Sequence, residues 1–365
     1  MSDQTMFLDF GLFSVYWYGF LMGITVLLAT GLFVFLRKMQ GEDTESSMTT
    51  ALVALPAALI LSRVFYCWFA KALFSGGVWE MMNLLTGGYA LYGALAGILT
   101  VVLAEGLRCG KSVIQMLDAV CPSVALAIAM EKWAGYINGS DIGFSVSSAW
   151  IQRFPFSVRS EADLVYNLWV GFFEGAAAML IFLFLFVAFV MKDRKDCKGL
   201  RRGDIVLLFM MSFGFSQSFL ESMRDDSLFM VTLGFVRINQ IISIVMAVGA
   251  LVFLMVRKGR RRGVSAIDVV LWLLCAAALG LAIYCEFTMN AVSMTRNYIL
   301  LAISLSVMFT VGLCLMIGGW KHGAGKVGES AIDNNLGSDE EEKELERFIE
   351  IDIHGLDLDE LKSFR

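Results

Sequence analysis

Histidine is almost missing from this 365-residue chain: there are two, His322 and His354, and both lie beyond the last long apolar stretch. No imidazole can serve as base or metal ligand within the apolar part. Charge is scarce as well, at 17% against 58% hydrophobic residues and a mean hydropathy of +0.69. Proline occurs only 3 times. This balance excludes a soluble enzyme and points to a polytopic membrane protein, with no nucleic-acid partner expected. Paired cysteines are lacking too: Cys67, Cys109, Cys121, Cys197, Cys275, Cys285 and Cys314 stand singly, without metal-ligand or redox spacing, and read as small core residues.

What the chain has is long apolar runs, each able to cross a hydrocarbon core that takes about 20 helical residues. Nine are expected: 13–36, 49–73, 87–106, 113–137, 164–191, 204–222, 240–256, 266–287 and 298–320. The first is too long for a signal-peptide core and has no small-residue cleavage site, so it is expected to stay in the membrane. The odd-numbered spans end in cation-rich loops, with Arg37 and Lys38, then Arg108 and Lys111, then Lys192 to Arg202, then Arg257 to Arg262. Those loops are expected to be cytoplasmic, with the N-terminus outside and the C-terminus inside. The fold expected is an all-α helical bundle, with a membrane core over 1–260, two additional helices over 261–320 and an acidic cytoplasmic tail over 321–365. Thirteen Asp or Glu against six Lys or Arg give that tail about −7 of the chain's net −5, and such runs are usually solvated.

A charge at membrane depth costs a few kcal/mol, so Arg63, Glu131, Lys132, Glu174 and Glu221 each need a partner, a cavity or a wet mouth. Lys132 taken alone reads as a side chain that snorkels from a span end. Glu174 reads as the middle of its span, in Gly171-Phe172-Phe173-Glu174-Gly175, where the glycines admit another helix or a headgroup. Gln217, Glu221 and Arg224 fall on one helical stripe, and spacing suits an ion pair as well as a substrate contact. The fourth span ends in Gly135-Tyr136-Ile137-Asn138-Gly139, whose backbone and amide donors suit a phosphate. Gly87-Gly88 with Gly93 and Gly97 make a smooth face bearing Tyr92, and small residues so spaced usually pack helices. Trp17-Tyr18-Gly19 reads as an interfacial anchor. The connection 140–163 is expected to cover the mouth of a cavity on the outer side.

Taken in order, these segments resemble the bacterial prolipoprotein diacylglyceryl transferase family over about residues 13 to 256. The likeness rests on Trp17-Tyr18-Gly19, Arg63 to Tyr66, Gly87-Gly88 with Gly93 and Gly97, the stretch from Asp118 through Pro122 to Asn138-Gly139 and Gly143, Glu174-Gly175, Glu221 with Arg224, and Asn239 to Ile244. It implies transfer of the diacylglyceryl group of phosphatidylglycerol to the lipobox cysteine thiol of a preprolipoprotein signal peptide, without metal or cofactor, in the bacterial inner membrane and among its lipids. It also implies that Tyr92, Lys132, Glu221 and Gln217 stand at catalytic positions, with Tyr18, Arg63, Asn138, Gly139, Glu174 and Arg224 binding substrate. Three groups that the resemblance expects to do chemistry are changed: the family's third-span histidine falls at Tyr92, its signature arginine at Lys132 and its sixth-span arginine at Gln217. A nearby asparagine falls at Gly135. A relative that binds phospholipid or signal peptide without transfer is the alternative; a transporter is disfavoured because no inverted repeat is visible.

Overall fold

The computed structural model describes residues 6–9, 14–71, 74, 77–83, 87–159, 165–193, 200–228, 237–289 and 293–318. Two strands, β1 (Met6–Asp9) and β2 (Ser14–Tyr16), pair antiparallel ahead of α1 (Trp17–Met39). There follow α2 (Thr44–Phe69), a short α3 (Val78–Met82), α4 (Leu91–Cys109) and α5 (Val113–Ala134), which runs into one 3-10 turn, Gly135–Asn138. Strands β3 (Ile142–Ser145), β4 (Ser157–Arg159) and β5 (Tyr166–Trp169) form an antiparallel sheet with β5 in the middle. Helices α6 (Val170–Asp193), α7 (Asp204–Glu221), α8 (Ile238–Arg262), α9 (Ala266–Phe287) and α10 (Met294–Gly318) complete the chain. Among the described residues nine helices, all but α3, are long and apolar enough to span a membrane. The protein is a multi-pass, all-α membrane bundle. Residues up to Leu315 form one compact unit; of the second, which starts at Met316, only the end of α10 is described.

Leu27, Leu52, Leu180, Val245 and Leu273 are all exposed, as suits apolar faces whose solvent is lipid. Inside, close approach replaces the hydrophobic drive that lipid cannot supply. A Cβ on Gly97 would stand 2.6 Å from the Ala57 carbonyl, and one on Gly93 2.5 Å from the Leu61 carbonyl, so α4 lies directly on the backbone of α2. Gly214 does the same for α7 on α8, 2.6 Å from the Ser243 carbonyl. The most enclosed spans are α7 and α5, with 61% and 50% of their apolar windows buried against 17% for α1 and α2. The centre of the bundle is therefore α5 and α7.

The two ends differ in their polar contacts. At one, Gln40 donates to the Gln115 carbonyl (2.9 Å), Arg37 and Lys111 meet Glu42 (3.3 and 3.2 Å), Lys192 meets Asp118 (2.6 Å) and Arg257 meets Asp204 (2.6 Å). This end gathers the described ends of the first, third, fifth and seventh spans. The other end holds the start of α4, the 3-10 turn, the sheet, the exit of α7 and the start of α8, joined by an isolated bridge between Gly143 and Arg224.

Boundaries shift where local chemistry intervenes. The third span starts at Leu91, not 87, because Gly87 and Gly88 take positive φ (75° and 81°) and hold the chain out of helix. The fifth starts at Val170: Tyr166–Trp169 pairs with both β3 and β4 instead, and residue 164 lies outside the described residues. The expected starts and ends at 13, 73 and 320, and the tail 321–365, also lie outside them. The short α3 was not anticipated.

Substituting Gly97→Ala is expected to destabilise the detergent-purified protein by about 1–3 kcal/mol, the usual cost of overpacking. Gly19→Ala, where a Cβ meets nothing within 4 Å, leaves it unchanged. Thermal unfolding followed by size-exclusion chromatography checks this; equal midpoints for the two variants would contradict the close contact.

Candidate functional site

Lys132 occupies the last turn of α5, and the chain must then reverse. It does so through the 3-10 turn, Gly139 at φ 63° and Asp141 at φ 59°, a left-handed conformation that Asp tolerates better than most residues. The Asp141 backbone is pinned on both sides: its N–H donates to Asp226 Oδ2 (2.9 Å), and its carbonyl accepts from Gly171 N–H (3.2 Å). The carboxylate is thereby delivered back to Lys132 Nζ at 2.7 Å.

Three further helices converge there. From α6, Glu174 places Oε2 2.9 Å from Lys132 Nζ. From α7, Gln217 Nε2 donates to Glu174 Oε1 (2.6 Å) and, more weakly, to Glu221 Oε2 (3.4 Å). Arg224 Nη1 lies 2.9 Å from Asp141 Oδ1, 3.6 Å from Glu221 and 3.7 Å from Glu174, while its Nε meets Asp226 at 2.9 Å. From α8, Asn239 Nδ2 donates to Glu221 Oε1 (3.1 Å). Ser243 donates to the Asn239 carbonyl (2.6 Å) and shares a hydrogen bond with the buried Tyr92 hydroxyl of α4.

Lys132, Glu174, Gln217 and Glu221 are buried and form one network with the partly exposed Arg224, with Tyr92 joined through Ser243. Lys132 does not snorkel; its ammonium is enclosed between two carboxylates. Glu174 is not mid-span but one turn into α6, because the residues before Val170 are strand. The glycines beside it admit indoles: a Cβ on Gly175 would lie 2.4 Å from Trp133 Nε1, and one on Gly171 2.6 Å from Trp169 Nε1. Tyr18 lies within electrostatic reach of Glu131, Asp141 and Lys132. Asn138 and Gly139 form the turn that precedes Asp141, and Asn138 Oδ1 is buried without a hydrogen-bond partner.

Arg63 is placed differently. Its guanidinium donates to the carbonyls of Glu80, Met81, Gly87 and Gly88 and lies over the Phe74 ring. It binds the α2–α4 connection to α2 and lines an open, mostly apolar cavity of about 710 Å³ with Cys67, Trp68, Lys71 and Met81. Asp141 and Asp226, by contrast, escaped the sequence reading. They sit in loops outside the spans, where a carboxylate carries no signal of burial; only the fold turns Asp141 inward.

Electrostatically the acids of the site outnumber its cations. Burial pushes the Asp141 carboxyl up, but Lys132 and Arg224 beside it outweigh that and hold it below the usual carboxylate range. Two cations thus face the carboxylates of Asp141, Glu174, Glu221 and Asp226, with Glu131 within electrostatic reach. Chemically the arrangement offers fixed positive charge for a phosphate, carboxylates able to accept a proton and a hydroxyl at Tyr92. Among the described residues no three His, Cys, Asp or Glu side chains are grouped to hold a metal.

A family model described as prolipoprotein diacylglyceryl transferase matches residues 5–256. Among relatives, a phosphatidylglycerol–prolipoprotein diacylglyceryl transferase of Limosilactobacillus reuteri is 30% identical over 252 residues, 68% of this chain and 89% of that one. Proteins of the same name from Finegoldia magna (28% over 253 residues; 68% and 94%) and Bacillus cereus (27% over 249 residues; 68% and 90%) are similar to it as well.

Asp141→Asn leaves Lys132 with Glu174 alone and loosens Arg224, so a loss of about 3 kcal/mol is expected at neutral pH, the lower end for breaking a buried pair. Because the folded pKa is depressed, Asp141 contributes fully above its unfolded value near 3.9 and loses that contribution as pH falls through the lower folded value. Melting curves against pH should therefore show a wild-type advantage at pH 7 that closes only below about pH 4; a constant gap across that range would contradict the ion pairing.

Proposed function

The chain belongs to the prolipoprotein diacylglyceryl transferase family, and we propose that it transfers the diacylglyceryl group of phosphatidylglycerol to the lipobox cysteine of preprolipoproteins, in lipoprotein biosynthesis. The thiol sulfur attacks the glyceryl carbon that bears the phosphate. A C–S bond forms, the C–O bond to phosphate breaks, and glycerol phosphate leaves; the thiol proton passes to a protein base. The observation that carries this reading is the meeting of Lys132 and Arg224 with the buried Glu174 and Glu221 at one end of the bundle.

The physical roles follow from position. A thiol near pKa 8.5 needs a base or a cationic field. Glu221 and Tyr92 are the groups assigned to the thiol. The departing phosphate needs preorganised positive charge in a water-poor site. Lys132 and Arg224 supply it: the Asp141 carboxylate bridges them as a phosphate oxygen would. Asn138 Oδ1, without a protein partner, suits a headgroup hydroxyl. Gln217 holds Glu174 and Glu221 together, while Tyr18 lies near the mouth. Arg63, beside its apolar cavity, belongs to the lipid side of the site. The enzyme sits in the bacterial inner membrane with the cation-rich loops and C-terminus cytoplasmic, the core formed by 1–260, the added helices by 261–320 and the tail by 321–365.

One observation favours binding without transfer. Both cations are already satisfied by carboxylates, which outnumber them, and Lys132 lacks the guanidinium fork that grips phosphate at two points.

Expression in bacteria depleted of their own transferase decides between the two, with membrane insertion verified and a reporter lipoprotein as readout. Lipidation of the reporter is expected, with Lys132→Ala and Arg224→Ala each about 10²–10³ slower. Inserted protein without lipidated reporter would leave the binding reading standing. For topology, in a cysteine-free background, Gln152→Cys should react with membrane-impermeant maleimide on intact cells and Lys258→Cys only after lysis; the reverse pattern would overturn the orientation.

A further inference from the structure

The family match ends at residue 256, inside α8, so α9 and α10 lie beyond it. They nevertheless reach the site end of the bundle. Helix α9 starts at the cation-rich end, where Ser265 and Asp268 form a capping box and Asp268 pairs with Lys258. Its last turn carries Glu286, whose Oε1 meets Arg237 Nη1 at 3.1 Å. The other terminal nitrogen of Arg237 donates to the backbone carbonyl of Arg224 (3.3 Å). Helix α10 then begins at Met294, and one turn in, the Tyr298 hydroxyl donates to the Ser222 carbonyl (3.1 Å). The Tyr298 ring is stacked with Phe144 of β3 and edge-on to Phe219 of α7, with centroids 6.2 Å away in both cases.

These contacts fall on one short segment. Helix α7 stops at Glu221, and the carbonyls at a helix C-terminus lack intrahelical partners. The Ser222 carbonyl, at the C-cap, receives the Tyr298 hydroxyl of α10; the Arg224 carbonyl, just beyond the helix, receives Arg237, which Glu286 of α9 holds, and a longer contact from Ser227 Oγ (3.5 Å). Across the segment, Asp225 N–H donates to the Ile142 carbonyl (2.9 Å), beside the Gly143–Arg224 bridge. The backbone that aims the Arg224 guanidinium is thus held by β3 on one side and by the two added helices on the other.

We propose that α9 and α10 form a clamp on the exit of α7, with Tyr298 and Glu286 as positioning residues for Arg224. The consequence for lipid handling rests on the reading of Arg224 as a phosphate ligand; the clamp itself does not. The clamp would make this core dependent on a helix pair that lies outside the family match.

Full-length protein in phosphatidylglycerol-containing nanodiscs provides the test, as wild type, Tyr298→Phe and Glu286→Gln. Hydrogen exchange reads the Arg224 and Asp225 amides; transfer to a lipobox peptide reads KM for phosphatidylglycerol and kcat separately. Exchange at these amides at least about ten-fold faster in both variants, with the middle of α7 unchanged, is expected; so is a KM raised about ten-fold, or about 1.4 kcal/mol, with a smaller change in kcat. Wild-type exchange in both variants would overturn the clamp. Faster exchange with unchanged KM would overturn its role toward the lipid. Faster exchange in a protein whose wild type transfers nothing would support the clamp and remove the transferase reading instead.

Discussion

Everything at the site end depends on keeping two cations, Lys132 and Arg224, inside a low-dielectric bundle. Removing such charges from water costs several kcal/mol each unless opposite charge and hydrogen bonds are in place. Here the compensation comes from separate parts of the chain: Asp141 from the loop after α5, Glu174 from α6, and Glu221 and Asp226 from the end of α7 and beyond. No one of these elements can shift without leaving a charge unpaired. The network therefore fixes the mutual height of α5, α6 and α7, and it accounts for the small sheet, which holds Asp141 and Arg224 in register through Gly143.

The opposite end is held in another way. There the ion pairs are local and mostly two-membered, each tying the end of one span to the start of another, as Lys192 ties α6 to α5 and Arg257 ties α8 to α7. Between the two ends the helices meet through glycine and alanine, since lipid offers no hydrophobic drive to bring Leu-rich faces together. The two ends thus differ in kind: at one, ion pairs tie neighbouring span ends together, and at the other, acids and cations from three helices and two loops meet in a single cluster.

The substitutions at Gln217 and Lys132 acquire meaning in this setting. Where the family resemblance implies an arginine, Gln217 reaches two carboxylates with a neutral amide, preserving the contact between Glu174 and Glu221 but removing a charge from their midst. Lys132 keeps its charge and spends it on two acids. The site is consequently more acidic than a phosphate-binding site built on three cations, and that balance is what transfer chemistry in this chain must work against. The added helices bear on the same point, because they stiffen the segment that carries the remaining guanidinium.

Span number, the cation-rich end and most of the site residues were legible in the sequence because a bilayer imposes a length and a polarity on each segment, and a charge within an apolar run stands out against it. Lys132, Glu174 and Glu221 were visible on that ground, and Gln217 and Arg224 by their helical spacing from Glu221. The same rule misjudged Glu174 by several residues, since an apolar run does not tell a buried strand such as β5 from the helix that follows it. It was silent about Asp141, which lies in a loop where carboxylates are ordinary, and about Tyr298 and Glu286, which read as the edges of two further spans. It also grouped Arg63 with those cations, whereas in the fold Arg63 donates to carbonyls of the α2–α4 connection. Segment identity is written in local composition, because each span must satisfy the bilayer by itself; which charges meet depends on helix packing and on left-handed turns such as the one at Asp141, and these exist only once distant segments are in contact.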